Sequence, residues 1–313
     1  MKNRFIAVLC SIAFLACDSD NVGKGNDIND PNAAKGNLSV SITDAPVDQA
    51  GVTGAFITVT EVKIDGKTFS GFEGPKTFNL LELQNGTTLN LGKQEVAANS
   101  YSTLTLVLDI EKDASGAAPG CYVTKTGGVK EKLELAGKSE AAIDIQPSDF
   151  VIAESGETEM VVDFDLRKAI RQQDNDFSFV TENELKAALR AENKVKTGTI
   201  KGKISNFATF GSSVVVYAYK KGTFDTGKEI NGQGSSEIKF ANAVSSTKTD
   251  AAGNFTLAFL PSEEYEIHVD KPASSGLGLG LNTLLEATSS VDLKAIKVEA
   301  GAQVNLSLSV TGK

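Results

Sequence analysis

TLTLVLDI, residues 103–110, puts Leu104, Leu106, Leu108 and Ile110 at every second position. Successive side chains of an extended chain point to opposite faces, so this alternation marks a strand with one buried apolar face. The pattern spreads in both directions. LSVSIT (38–43) turns Leu38, Val40 and Ile42 inward, and QVNLSLSV (303–310) does the same with Val304, Leu306, Leu308 and Val310. VVDFDL (161–166) buries Val162, Phe164 and Leu166 and leaves Asp163 and Asp165 on the face expected to meet solvent. In AFITVTEVKI (55–64) the apolar phase slips between Val59 and Val62, as a β-bulge or a strand buried on both faces requires. Gly, Asn, Asp and Pro punctuate these runs. The expected fold is mainly β: two antiparallel β-sandwich domains in tandem with one short helix between them.

That helix is expected at TENELKAALRAEN (181–193), where Thr181 and Glu184 have capping-box spacing and Leu185, Ala188 and Leu189 share a face. The expected divisions are 1–16, a signal segment; 17–36, a flexible polar tether; 37–197, a first β-sandwich; and 198–313, a second one. LLELQNG (80–86) reads as a buried strand feeding a glycine turn, and 222–246 as a polar insertion in the second sandwich. The Gly-rich segment SSGLGLGLNTLL (274–285) reads as a partly buried loop.

The amino terminus reads as an address. Lys2 and Arg4 precede an apolar run of about a dozen residues, which is the layout of a secretory signal, and a spanning helix needs about 20. Phe14-Leu15-Ala16-Cys17 resembles a bacterial lipobox, which implies cleavage before Cys17 and lipidation of that cysteine. The resemblance implies a partner, the membrane, reached through lipid on Cys17. CDSD (17–20) resembles the surface-export signal of lipoproteins in one large phylum of Gram-negative bacteria; elsewhere an Asp after the cysteine implies inner-membrane retention. The expectation adopted is an outer-membrane, lipid-anchored protein at the cell surface, with the periplasmic face as the alternative.

Composition excludes several chemistries. The 31 basic residues stand against 40 acidic ones, a net charge of −9. A nucleic acid is therefore not expected as a partner, because such binding rests on cations that displace counterions. With Cys10 in the signal and Cys17 lipidated, Cys121 stands alone, so no disulfide is expected and a buried, inert thiol is. One histidine, His268, cannot build a conventional zinc site. In YEIHVD (265–270) it falls on the polar side of a strand with Glu266 and Asp270 and reads as solvated. No G-x-S-x-G elbow or phosphate loop occurs.

Two resemblances cover most of the remaining chain. LSVSITDAPVD (38–48), FNLLELQNGTTLNLG (78–92), YSTLTLVLD (101–109) and VVDFDLRKAI (161–170) resemble a domain family of unknown function common in secreted bacterial lipoproteins. TGTIKGKI (197–204), STKTDAAGNFTLAFLP (246–261) and the closing strand resemble a carboxypeptidase-regulatory-like, prealbumin-type β-sandwich, which implies a noncatalytic companion domain. In TDAAGNF (249–255) Asp250 is expected to close the turn through its carboxylate and Gly253 to supply a positive φ, with Phe255, Leu257 and Phe259 filling the core.

Asp44 is expected to cap a turn ahead of Pro46. The functional alternative is that Asp44, Asp48, Asp163 and Asp165 offer oxygen ligands to calcium, although no calcium-loop spacing supports it. No catalytic residue or other cofactor is expected. The leading expectation is a noncatalytic surface lipoprotein that presents loops to a glycan or an envelope protein. Its alternatives are a glycan hydrolase using paired carboxylates, Asp163/Asp165 or Asp144/Asp149, and a structural subunit of a surface assembly.

Overall fold

The computed structural model describes residues 27–45, 51–173, 176–209, 214–271 and 283–312. The signal segment, Cys17, Asp48 and the glycines of 274–285 lie outside the described residues. The chain is mainly β, in two sandwich-like parts.

In the amino-terminal part a four-stranded sheet runs in the order Leu189–Asn193, Glu157–Asp165, Lys35–Ala45, Leu89–Ala97. A second sheet is built on the long strand Val52–Ile64, which pairs with Leu104–Asp109 on one side and Tyr122–Lys125 on the other. Leu38, Val40 and Ile42 of the first sheet and Leu104, Leu106 and Leu108 of the second share one apolar core, all fully buried. The phase slip is a bulge: Val59 faces Leu108 but Glu61 faces Val107. The sheets are not wholly antiparallel, because Lys35–Ala45 pairs in parallel with Glu157–Asp165.

The carboxy-terminal part is one rolled sheet. Its order runs Ser245–Lys248, Val215–Lys220, Glu264–Lys271, Thr283–Thr288, Gln303–Thr311, Thr197–Ile204, Asn254–Pro261. Its two end strands are joined by the turn at 249–253, so the sheet curls back on itself around Ile200, Leu257, Tyr265 and Leu308. The turn is built as expected: Asp250 Oδ1 accepts from the Ala252 and Asn254 amides, both at 2.8 Å, and Gly253 has φ +81. Thr197–Ile204 pairs in parallel with Gln303–Thr311, a second departure from the antiparallel expectation.

Five local expectations are corrected. The helix stops at Ala187, and Leu189–Asn193 is a strand on the edge of Glu157–Asp165. Leu189, Ala191 and Asn193 are buried in alternation there, and the free sheet edge supplies the hydrogen bonds that a second helical turn would have made. LLELQNG is not a strand: Leu80–Leu83 forms a 3₁₀ turn capped by Asn79 Oδ1. The tether ends early, since Ile28 is fully buried and its carbonyl accepts from the Ala97 amide at 3.0 Å. Phe259 leaves the core, as described below. The face of Glu264–Lys271 that carries Glu266, His268 and Asp270 is covered rather than solvated, and Asp270 is fully buried.

The cover is the 222–246 insertion. Phe240 stacks on Tyr217 at 4.3 Å between ring centroids, and Phe224 stacks on His268 at 3.6 Å. Buried Glu229 accepts from Tyr219 Oη at 2.8 Å and from the Asn242 amide at 3.2 Å, tying the insertion to the sheet.

Candidate functional site

The charged side chains gather where the two parts meet. Asp163 and Asp165, expected in solvent, are each 5% exposed. Alternation does turn them away from the Phe164 side of the strand, but the carboxy-terminal part covers the face they occupy. The register sets Arg190 directly across from Asp163. Its Nη2 donates to Asp163 Oδ2 at 2.6 Å, and its Nη1 donates to the carbonyl of Phe259 at 2.6 Å. Glu192 stands 3.5 Å from the same guanidinium.

Asp165 sits two residues further on, at the cap of the one-turn helix Leu166–Ala169. Its carboxylate lies 3.3 Å from both Arg167 Nη2 and Lys168 Nζ. Both cations reach across the junction: Arg167 Nη1 donates to Lys239 O and Lys168 Nζ to Ala243 O, each at 2.6 Å. Arg167 also donates to Ser246 Oγ at 3.3 Å and lies over the Tyr217 ring. Three carboxylates thus face three cations within residues 163–192, and the cations close the clasp across the junction through bonds to Ser246, Lys239, Ala243 and Phe259. Planar guanidinium groups suit this work because they keep their charge when buried and hold several acceptors in fixed directions.

Burial pushes the Asp163 carboxyl above the ordinary range despite Arg190. Burial also opposes the charge on Asp165, but Arg167 and Lys168 outweigh it and hold that carboxyl below its usual value. Pro46 and the turn expected there lie outside the described residues, and Asp44 has a distant partner. Its Oδ1 accepts from the Leu166 amide at 3.2 Å, 122 positions away, and it is 6% exposed. Glu184 makes a separate contact across the junction, to Ser236. Burial works against its ionisation, yet Ser236 and Thr181 donate to it and hold its carboxyl at about 2.

These placements decide what the acids can do. A calcium ion needs six to eight oxygen ligands, whereas Asp163 and Asp165 already hold guanidinium and ammonium groups. Among the described residues, no three His, Cys, Asp or Glu side chains gather as metal ligands. Asp144 is exposed and accepts from Thr105 Oγ1 at 2.8 Å, while Asp149 lies 3.9 Å from Lys196. Neither is set against a second carboxylate in these contacts. Cys121 is fully buried, donates to Asp109 O at 3.3 Å, and has its thiol pushed up to about 12 by burial, so it is inert at neutral pH.

His268 is half-buried between Phe224 and the edge of the Tyr219 ring. Burial depresses its pKa below the ordinary 6.5, outweighing Glu266 at 3.5 Å. Because the unfolded chain takes up a proton first, stability linked to this ring is full above about pH 6.5 and falls as the pH drops below it. A single imidazole resonance titrating below 6.5 is the expected NMR result; a midpoint at or above 6.5 would mean that the insertion does not cover the ring.

Beside the clasp lies a cleft of about 220 Å³. Asn85 and Thr88 come to it from the amino-terminal part, Lys201, Thr256 and Phe259 from the other, and Lys194 from the connection. Asn85 Oδ1 also accepts from Thr247 Oγ1 at 3.0 Å, and Gly86, with φ +83, lets its turn lie against Ala258, where an added Cβ would come within 3.1 Å. None of this was legible in the sequence, since each wall is ordinary on its own.

Residues 35–180 match the family described as "Domain of unknown function (DUF4382)". The match spans Asp44, Asp163, Asp165, Arg167 and Lys168 and stops short of Arg190 and of the carboxy-terminal part. No curated protein matches the chain. Among solved structures, the Bacillus anthracis TIE protein aligns at 10% identity over 89% of this chain and 34% of its own, with a TM-score of 0.20. A leucine-rich repeat protein from Bacteroides thetaiotaomicron aligns at 11% over 89% and 26%, TM-score 0.20. BcpA, the major pilin subunit of Bacillus cereus, aligns at 11% over 89% and 71%, TM-score 0.21. The chain spans about a third and a quarter of the first two. Likeness at this level carries no argument about function, and no catalytic family is identified.

Proposed function

We propose that this chain is a noncatalytic cell-surface lipoprotein: two β-sandwiches locked into one arm, held at the outer membrane by lipid on Cys17, presenting a surface to a glycan or protein ligand. One observation carries the noncatalytic reading. The acids best placed for chemistry, Asp163 and Asp165, are engaged by Arg190, Arg167 and Lys168 inside a closed junction. General acid–base work needs a carboxyl that reaches substrate and exchanges its proton, and these reach neither solvent nor a cleft. The anchoring reading is supported by the apolar run that ends at Cys17. A single lipid chain holds only weakly and stable attachment takes more than one, which fits acylation at both the sulfur and the new amino group.

Protease shaving and antibody labelling of intact cells, with labelled fatty acid and a Cys17→Ala control, test this. The expected result is fatty-acid incorporation and surface cleavage in the wild type, and release from the membrane in Cys17→Ala. Protection until the outer membrane is breached would move the protein to the periplasmic face. Unchanged anchoring in Cys17→Ala would remove the lipoprotein reading.

A further inference from the structure

We propose that the junction cleft is a binding site for an acidic saccharide, read by the Phe259 ring, the Lys201 and Lys194 ammonium groups, and the polar side chains of Asn85, Thr88 and Thr256. The inference rests on the binding-module reading above for its setting and is independent of how the protein is anchored.

Phe259 supplies the first observation. Alternation from Phe255 and Leu257 predicts Phe259 in the core, yet Leu260 is buried instead and Phe259 is half-exposed in the cleft wall. The chain reaches this arrangement through φ +53 at Phe259, a conformation that is costly for a bulky residue and that persists only where surrounding structure enforces it. Arg190 enforces it by holding the Phe259 carbonyl at 2.6 Å. The same clasp that joins the two parts therefore turns an aromatic ring out of the core. A ring face set beside polar groups is the surface that the C–H face of a sugar takes.

Charge supplies the second. On a chain of net charge −9 the cleft is lined by two lysines and by no carboxylate. Lys194 Nζ is 2.8 Å from Glu159, whereas Lys201 is exposed and makes no ion pair among the described residues. Hydroxyl and amide groups of Thr88, Thr256 and Asn85 complete the lining, with Asn85 fixed by Thr247 at 3.0 Å. The volume of about 220 Å³ falls below the roughly 300–1,000 Å³ of pockets for drug-sized ligands and suits one sugar ring of a longer chain. A bare phosphate would use the lysines and ignore the ring.

The test is calorimetric titration of the mature protein with a galacturonic acid tetrasaccharide, its methyl ester, and inorganic phosphate as competitor. Lys201→Glu changes an exposed side chain, and Phe259→Gly removes the ring while glycine keeps the positive φ without strain, so both variants stay folded. The expected result is binding of the acid form at about millimolar Kd or tighter, with a loss of about tenfold or more in each variant and for the ester. Phosphate is expected not to displace the saccharide at equal concentration. Absence of binding by the wild type, wild-type affinity in either variant, or displacement by phosphate mole for mole would each overturn the proposal. Failure here leaves the surface-labelling result untouched, and failure there leaves this one untouched.

Discussion

Replacing Arg190 with alanine is expected to lower the stability of the folded chain by about 3–5 kcal/mol, the usual loss when one member of a buried ion pair is removed. The reason lies in what remains. Asp163 and Glu192 lose their cation inside a covered junction, and the Phe259 carbonyl loses its donor. A buried carboxylate without a partner either takes up a proton or draws in water, and both weaken the contact between the two parts. The pH dependence separates this mechanism from simple loss of packing. In the variant the Asp163 carboxyl is raised further than burial already raises it in the wild type. A raised folded pKa favours the native state at low pH and works against it as the pH climbs from the unfolded value through the folded one. The destabilisation in urea melts should therefore shrink towards pH 4 and reach its full size near neutrality. A loss below about 1 kcal/mol, the range of exposed pairs, would show that the clasp is open to solvent.

Phe240→Ala is the second large effect, at about 3–5 kcal/mol for truncation of a buried aromatic side chain. Phe240 is 1% exposed and stacks on Tyr217 with ring planes 18° apart. It anchors an insertion that composition alone marks as polar. Loss of the ring frees the cover at the point where its own amide donates to Glu229 O at 2.7 Å, and the same cover carries Phe224 onto His268. The variant should thus show two coupled changes: an earlier urea midpoint, and a His268 titration moved back up towards 6.5 as the ring regains water. A stability loss without movement of the His268 titration would mean that the insertion holds at its Phe224 end independently of Phe240.

The apolar half of this fold was legible because it is written locally. Leu38, Val40, Ile42, Leu104, Leu106 and Leu108 all lie where period-2 alternation places them, the Val59–Val62 slip is a bulge, and Asp250 closes its turn through its carboxylate. The polar half was not legible. Alternation says which residues share a face but not whether a distant segment covers that face. Asp163 and Asp165 occupy the side of the strand that the pattern assigns them; Lys239, Ala243, Ser246 and Phe259 bury that side, and each is at least 69 positions from its partner. The same limit explains Glu266 and His268 under their insertion. Arg190 was hidden for another reason. Its neighbours Leu185, Ala188 and Leu189 fit a helical stripe, and only the open edge of Glu157–Asp165 makes an extended backbone the better solution beyond Ala187. The parallel pairing of Lys35–Ala45 with Glu157–Asp165 left no trace either, because its hydrogen bonds are made by backbone alone.

Buried charges are expected to hold the two parts as one arm. Differential scanning calorimetry of the wild type beside the Arg167→Ala/Arg190→Ala double variant is the decisive test. The expected result is one cooperative transition for the wild type, with matching calorimetric and van't Hoff enthalpies, and its separation into two transitions in the variant. Two independent transitions already present in the wild type, unmoved by the substitutions, would contradict it.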